Sequence, residues 1–258
     1  WLAVEFMESG WDVKRLMKTL VTAATYRQTS RAPRELMERD PYNLLYARQT
    51  RIRLDAEMVR DNALAISGML SARIGGPSVY PYQPRGYWSF LNFPPREWED
   101  STGEDQYRRG IYTWWQRTFL QPSLVAFDAP SREECAAERT RSNVPQQALV
   151  LLNDPTYVEA ARVFAVHILT QGGKAFEDRL RWAYARALGR PPGESEIQLL
   201  SKLFRKHLAE YRAKPEEAGR AVAAGLAPVR KDLNVVELAG WTSVARAILN
   251  LPEVITRP

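Results

Sequence analysis

"TYVEAARVFAVHILTQ", residues 156–171, carries an apolar stripe at helical spacing between Pro155 and the pair Gly172 and Gly173. Three later stretches do the same: "AFEDRLRWAYARALG" (175–189), "ESEIQLLSKLFRKHLAEYRA" (194–213) and "NVVELAGWTSVARAILNL" (234–251). A stripe recurring every three to four residues is stable when it faces a core, and Gly or Pro separates most of these stretches. The last third of the chain is therefore predicted to be a set of helices. No segment recurs at a fixed period, so the succession of helices is not a solenoid.

Immediately upstream lies "RTRSNVPQQALVLLNDP" (139–155). Asn143 and Gln146 have the spacing of an N-cap and its reciprocal partner, with Pro145 tolerated in the first turn. "QQALVLLN" then predicts two turns of buried helix. Asn153, Asp154 and Pro155 end it and start the next, with Asp154 as cap and Pro155 as first helical residue. Further back, "LDAEMVRDNALAISGML" (54–70) places Met58 or Val59, Ala63, Ile66 and Leu70 on one face, and "IGGP" (74–77) is expected to end that helix. "WDVKRLMKTLVTAATYRQ" (11–28) spaces Val13, Leu16, Met17, Leu20 and Ala24 as a helix behind an Asp12 cap. The opening "WLAVEFMESGW" also reads as helix.

Residues 75–105 differ in kind, being rich in Pro, Gly and aromatics without a sustained period. Loops of this length are uncommon in compact domains and are often functional. Beyond it, residues 107–128 mix helix-compatible and β-favouring side chains. The first part is read as helix and "PSLVAFD" (122–128) as extended chain. The predicted fold is a mainly α, multi-helix domain with a long irregular loop and room for a short strand pair. Its parts are residues 1–138, containing loop 75–105, and a helical lobe 139–258, or one continuous domain.

At 258 residues, 45% hydrophobic and 26% charged, the chain can bury a substantial core, and eight Trp with eleven Tyr argue against disorder. No apolar run approaches the roughly 20 residues of a membrane span. The net charge of +6 comes from 36 bases, of which only seven are Lys. Acids and bases are interspersed, and arginine favours bidentate pairing with carboxylates, so internal ion pairs are preferred to a nucleic-acid partner. The single Cys135 forms no internal disulfide, and no CxxCH is present for haem attachment. Trp1 in place of an initiator Met predicts a fragment of a longer protein, carrying no targeting segment of its own.

Two groups of residues invite a functional reading. The first is polar: Asp128, Glu133, Arg139, Arg141, Asn143, Asn153 and Asp154, from "FDAPSREECAAERTR" and the capping stretch after it. Converged in a cleft, carboxylates beside arginines perform acid and base work, and with Asn oxygens they hold a hard cation. Capping and Arg–carboxylate pairing explain the same residues without a ligand. The second group is aromatic: Tyr80, Tyr82, Tyr87, Trp88, Phe90, Phe93 and Trp98, interleaved with prolines, offer ring faces to a sugar or a partner protein. Packing of the loop onto the helices is the plainer reading. His167 and His207 have no companion at metal-ligand spacing, and Cys135 after Glu133 and Glu134 makes a poor nucleophile. No GxxxxGK[ST], GxGxxG or GxSxG occurs. No catalytic, cofactor or metal residue is assigned.

Several stretches together resemble a planctomycete domain of unknown function: residues 1–30, 43–70, "GGPSVYPYQP" (75–84), "GEDQYRRGIYTWWQRT" (103–118), residues 127–162 and "ARALGRPPGESEI" (185–197). The resemblance implies a C-terminal part of large exported proteins, periplasmic or at the cell surface, that also carry a cytochrome c-like domain and a further uncharacterised domain. Any haem would then lie elsewhere in the parent. The expected function is a non-catalytic binding or scaffolding module whose partners are the other domains of its parent. The alternative is an enzyme acting on an extracellular polysaccharide or related polymer through a carboxylate and arginine cleft.

Overall fold

The computed structural model describes residues 1–90, 97–116 and 120–257, the side chains of Ser89 and Phe90 excepted. Phe93 and the Phe90 side chain, both in the expected aromatic surface, lie outside the described residues. Helices dominate, so the fold is mainly α. The chain forms two compact units, Trp1–Arg53 with the last residues from Thr256, and Leu54–Ile255. The second unit runs through residue 139 without a break.

The first unit contains α1 (Leu2–Glu8), α2 (Val13–Thr22), α3 (Arg34–Arg39) and strand β1 (Ile52–Arg53), which pairs antiparallel with β2 (Thr256–Arg257). Asp12 caps α2 as expected, accepting the Arg15 N–H at 3.0 Å. The helix stops at Thr22, so Ala24 lies beyond it. None of these three helices buries a residue, and Val13, Met17, Leu20 and Val21 of α2 are exposed. Polar bonds order this unit instead. The Asp40 carboxylate, 5% exposed, accepts the N–H groups of Leu44 and Leu45 at 2.8 Å each. The Gln49 amide donates to the carbonyls of Thr25 and Tyr26.

The second unit runs α4 (Ala56–Ser67), three 3-10 turns (Tyr87–Phe90, Gly103–Tyr107, Gly110–Tyr112), α5 (Pro122–Ala126), α6 (Pro145–Asn153), α7 (Pro155–Gln171), α8 (Phe176–Leu188), α9 (Glu194–Ala213), α10 (Pro215–Val222), α11 (Val235–Leu249) and α12 (Pro252–Ile255). The core sits where α7 lies along α11, with α4 against α7 and α9 and α10 against α11. Ala160, Ala161, Ala165, Ala239 and Ala245 are fully buried there, and such small side chains let the helix backbones approach closely. The Trp241 ring of α11 packs between Phe176 and Phe204, with centroids 5.1 and 5.0 Å away.

Several local expectations are corrected. The helix over residues 56–67 ends at Gly68, not at "IGGP", because Gly68 adopts a left-handed conformation (φ +76°) that returns its N–H to the last turn. On that helix Val59 is buried and Met58 is 56% exposed. The residue preceding α6 is Val144, not Asn143, and α6 has no side-chain cap, although Pro145 occupies its first position. Only Gln147 and Leu151 of α6 are buried and Leu149 is 57% exposed, so this short helix touches the core along one edge. Pro122–Ala126 of "PSLVAFD" is helical rather than extended, with Gln121 capping it by accepting the Leu124 N–H at 3.0 Å, and Phe127 and Asp128 turn away from it.

Residues 107–116 form 3-10 turns and an isolated parallel bridge from Thr113 to Val79, not a helix. The cause is a competing donor. Arg60 of α4, 1% exposed, donates to the carbonyls of Arg108 (2.6 Å) and Gln106 (2.7 Å), withdrawing them from helical bonding. Arg108, itself fully buried, donates to the Pro77 carbonyl at 2.9 Å and to that of Gly75, and lies 3.8 Å over the Tyr112 ring. On α7, the buried Glu159 accepts the Tyr82 hydroxyl (2.9 Å), the Tyr107 hydroxyl (3.0 Å) and the Ala227 N–H (2.5 Å). Arg162, one turn on and 3.7 Å from Glu159, donates to the carbonyls of Ala224 and Ala227. Gly225 (φ +85°) crosses so close that a Cβ there would fall 2.0 Å from the Glu159 carboxyl carbon. Burial, with the Glu159 charge second, pushes the Tyr107 hydroxyl up to about 12, so it remains a donor.

Removing one partner from a buried ionic group leaves the others uncompensated, which costs about 3–5 kcal/mol. Glu159→Ala is expected to lose that much stability in urea unfolding, against about 1–2 kcal/mol for Tyr107→Phe, which leaves the carboxylate two donors. A loss below about 1 kcal/mol for Glu159→Ala would contradict this assignment. A second link is pH-dependent. Arg190 forks to Glu196 (2.8 and 2.9 Å) and Glu253 (2.8 and 3.1 Å), and its bonds hold the Glu196 carboxyl down at about 2. A lowered folded-state pKa contributes stability above the ordinary value of 4.5 that is lost as pH falls towards 2. Unfolding midpoints measured across that window should fall less steeply for Glu196→Gln than for the native chain.

Candidate binding cleft

Three stretches of irregular chain are tied side by side in the second unit. Val79 donates to the Tyr112 carbonyl and accepts from the Trp114 N–H, both at 2.8 Å. The Ser101 N–H reaches the Tyr80 carbonyl at 2.8 Å, and the Tyr80 N–H reaches the Ser101 hydroxyl at 2.9 Å. This lacing brings Tyr80, Trp98 and Trp114 together, with Trp88 behind them. The four rings form two stacked pairs: Tyr80 on Trp114 (centroids 5.5 Å, planes 26° apart) and Trp88 on Trp98 (5.5 Å, 25°). The pairs are inclined to one another, with Tyr80 and Trp98 at 65°, Trp98 and Trp114 at 57° and Trp88 and Trp114 at 40°. They line a cleft of about 620 Å³, within the size range of small-molecule sites.

The rest of the lining is acidic and hydroxylic. Glu97, Glu99, Asp100 and Asp105 border the cleft with Ser101 and Thr102, and none of its described lining residues is Lys or Arg. Asp105 is engaged by Arg73 at 2.7 Å. Asp100 accepts the Trp98 indole N–H at 2.9 Å, and the same N–H reaches the Pro81 carbonyl at 2.9 Å. Burial raises the Asp100 carboxyl above its ordinary range, against the opposing pull of that indole bond and of Arg85. The lining thus combines aromatic faces with carboxylates, a set that binds by stacking, cation attraction and hydrogen bonding.

Of the aromatic residues singled out from sequence, Tyr80, Trp88 and Trp98 line this cleft. Tyr82 is 7% exposed and spends its hydroxyl on Glu159, which makes it a structural anchor. The Tyr87 hydroxyl donates to the Leu120 carbonyl. Trp114 was not singled out, since "YRRGIYTWWQRT" reads as a helix. The loop tie that places Trp114 depends on contacts far away in sequence.

None of the polar residues singled out from sequence lines the aromatic cleft. Asp128, held at φ +64°, accepts the Ser142 N–H (2.8 Å) and hydroxyl (2.7 Å). Arg139 forks onto Glu57 of α4 (2.8 and 3.2 Å), and Arg141 lies 3.7 Å from Asp55. Burial pushes the Glu57 carboxyl up, but the Arg139 hydrogen bond, a backbone bond and the charges of Arg139 and Arg132 together outweigh it, and the net shift is down. Asn153 donates to the Leu149 carbonyl of its own helix, and Asp154 caps α7 by accepting the Thr156 N–H at 2.9 Å. Glu133 and Asn143 are exposed. Among the described residues, no group of three His, Cys, Asp or Glu is placed to hold a metal ion, and no helix is long and apolar enough to cross a membrane.

The laced segment and the α7 anchor beneath it fall within a stretch, residues 1–204, that matches the family model described as PSD1, protein of unknown function (DUF1553). The chain belongs to the PSD1 family. No curated protein and no solved structure matches it. The PSD1 match takes in the aromatic cleft, Glu159 and the whole of the polar group, and ends inside α9.

Structural roles for the polar group make a specific expectation. Asp128→Ala removes two bonds to Ser142 and places a Cβ-bearing residue without side-chain support at positive φ, so it should destabilise by about 2–4 kcal/mol. Asp128→Asn, which tolerates that backbone conformation and keeps an acceptor, should cost about 1 kcal/mol. Equal losses in thermal unfolding would remove the backbone part of this account.

Proposed function

We propose that this chain is a non-catalytic binding module of a larger exported protein, with the aromatic cleft of Leu54–Ile255 as its ligand seat. The observation that carries the reading is the inclined double pair of rings, Tyr80 on Trp114 and Trp88 on Trp98, around a cleft of about 620 Å³. The polar groups that acid–base chemistry would need support it from the other side, since Asp128, Arg139, Asn153 and Asp154 are spent on loop closure, ion pairing and capping. The resemblance read in the sequence supplies the setting: a periplasmic or cell-surface parent of planctomycete type, with any haem in its cytochrome c-like domain. In that setting the scaffolding role falls to the bare apolar face of α2, which another domain of the parent covers.

The test combines binding with turnover. The purified chain is titrated with neutral oligosaccharides and with small organic cations, following tryptophan fluorescence, and the same mixtures are assayed for new reducing ends. The reading expects a saturable change with one of these classes, lost in Tyr80→Ala, and no new reducing ends. Cleavage of the oligosaccharide that is suppressed by Asp128→Asn would establish the enzyme alternative instead, and no saturable change with either class would remove the cleft as a ligand seat.

A further inference from the structure

We infer that the aromatic cleft takes an organic cation, a quaternary or methylated ammonium head carried on a longer molecule. This inference rests on the reading of the cleft as a ligand seat and names its chemistry.

Three observations point to a cation. The first is charge. The chain as a whole is strongly basic, at +6, yet the described lining of this cleft holds four carboxylates and no Lys or Arg. Asp105 is neutralised by Arg73 and Asp100 is partly satisfied by the Trp98 indole. Arg85 also acts on Asp100, and the exposed Glu97 and Glu99 add two further carboxylates to the described lining. A concave site lined by one sign of charge concentrates ligands of the other.

The second is ring chemistry. The faces of Trp and Tyr carry negative quadrupole density, and tryptophan is the strongest of the aromatic side chains as a cation acceptor. Trp98 and Trp114 are partly exposed beside Tyr80, whereas Trp88 is only 6% exposed and backs Trp98. An alkylated ammonium suits them because its methyl groups make apolar contact while its charge is only weakly hydrated.

The third is shape. The two stacked pairs meet at 40–65°, which makes a corner and not a single flat platform. A compact, rounded head fits a corner, whereas a sugar ring lies flat against one face. The volume of about 620 Å³ leaves room beside an alkylated ammonium head for the rest of a longer molecule.

The experiment uses three probes on the whole chain: choline, its neutral isostere 3,3-dimethylbutan-1-ol, and a neutral oligosaccharide such as cellobiose. Binding is followed by tryptophan fluorescence and confirmed by calorimetry. The inference expects saturable binding of choline, with the isostere at least about tenfold weaker. It also expects choline to weaken about three- to tenfold in the double variant Glu97→Gln with Glu99→Gln, whose exposed positions leave folding intact. Equal binding of choline and the isostere, or unchanged choline affinity in the double variant, would overturn the charge argument while leaving the seat. Cellobiose binding that Tyr80→Ala abolishes, with choline inert, would overturn the cation and retain the seat. If none of the three binds the native chain, both the cation and the seat fall.

Discussion

Inside the Leu54–Ile255 unit, the guanidinium groups of Arg60, Arg108 and Arg162 end on main-chain carbonyls of segments that have no ladder of their own. A buried charge is tolerated when its donors find acceptors, and a buried carbonyl is tolerated when it finds a donor. The terminal N–H groups of each arginine meet such carbonyls, while the Nε of Arg60 and of Arg108 stays buried without a hydrogen-bond partner among the described residues. Glu159 works in the opposite sense, collecting two tyrosine hydroxyls and one N–H from three separate stretches of chain. Described stretches of irregular chain in this unit are therefore held to helices α4 and α7 through polar bonds, much as a strand is held by its neighbour. The aromatic cleft is built on that irregular segment.

The helices were legible because their signals are local. Asp12, Asp154 and Asn234 stand where caps are needed, and the stripes of residues 156–171 and 234–251 bury along the α7 and α11 contact. What failed were places where a distant group overrides a local preference. Arg60 draws two carbonyls out of a segment that reads as helix, and Gln121 caps a segment whose composition favours a strand. Gly68 ends its helix two turns before the Gly–Gly–Pro that looks like the stronger stop.

The cleft was half legible. Composition pointed to the aromatic loop, and Tyr80, Trp88 and Trp98 do line a site. Tyr82 is indistinguishable from them in sequence, and only its pairing with Glu159 shows that it faces inwards. A signal for that pairing was present in "TYVEAARVFAVHILTQ". Glu159 and Arg162 sit one turn apart in a helix otherwise nearly free of charge, which is where a buried ion pair would be sought. The polar residues around "RTRSNVPQQALVLLNDP" illustrate the converse, since a dense run of Arg, Asn and Asp resolves into caps and loop clasps.

A preformed cleft requires that its walls be as stable as the helices that hold them, because a ligand that must first order a loop loses affinity in doing so. The direct measurement is native-state hydrogen exchange of the backbone amides of Val79, Ser101 and Trp114, which lace the cleft, compared with core amides of α7 and α11. The account predicts that these three amides exchange only through global opening, with protection equal to that of the two core helices. Exchange of the three at the rate of an open loop, while α7 and α11 stay protected, would contradict it.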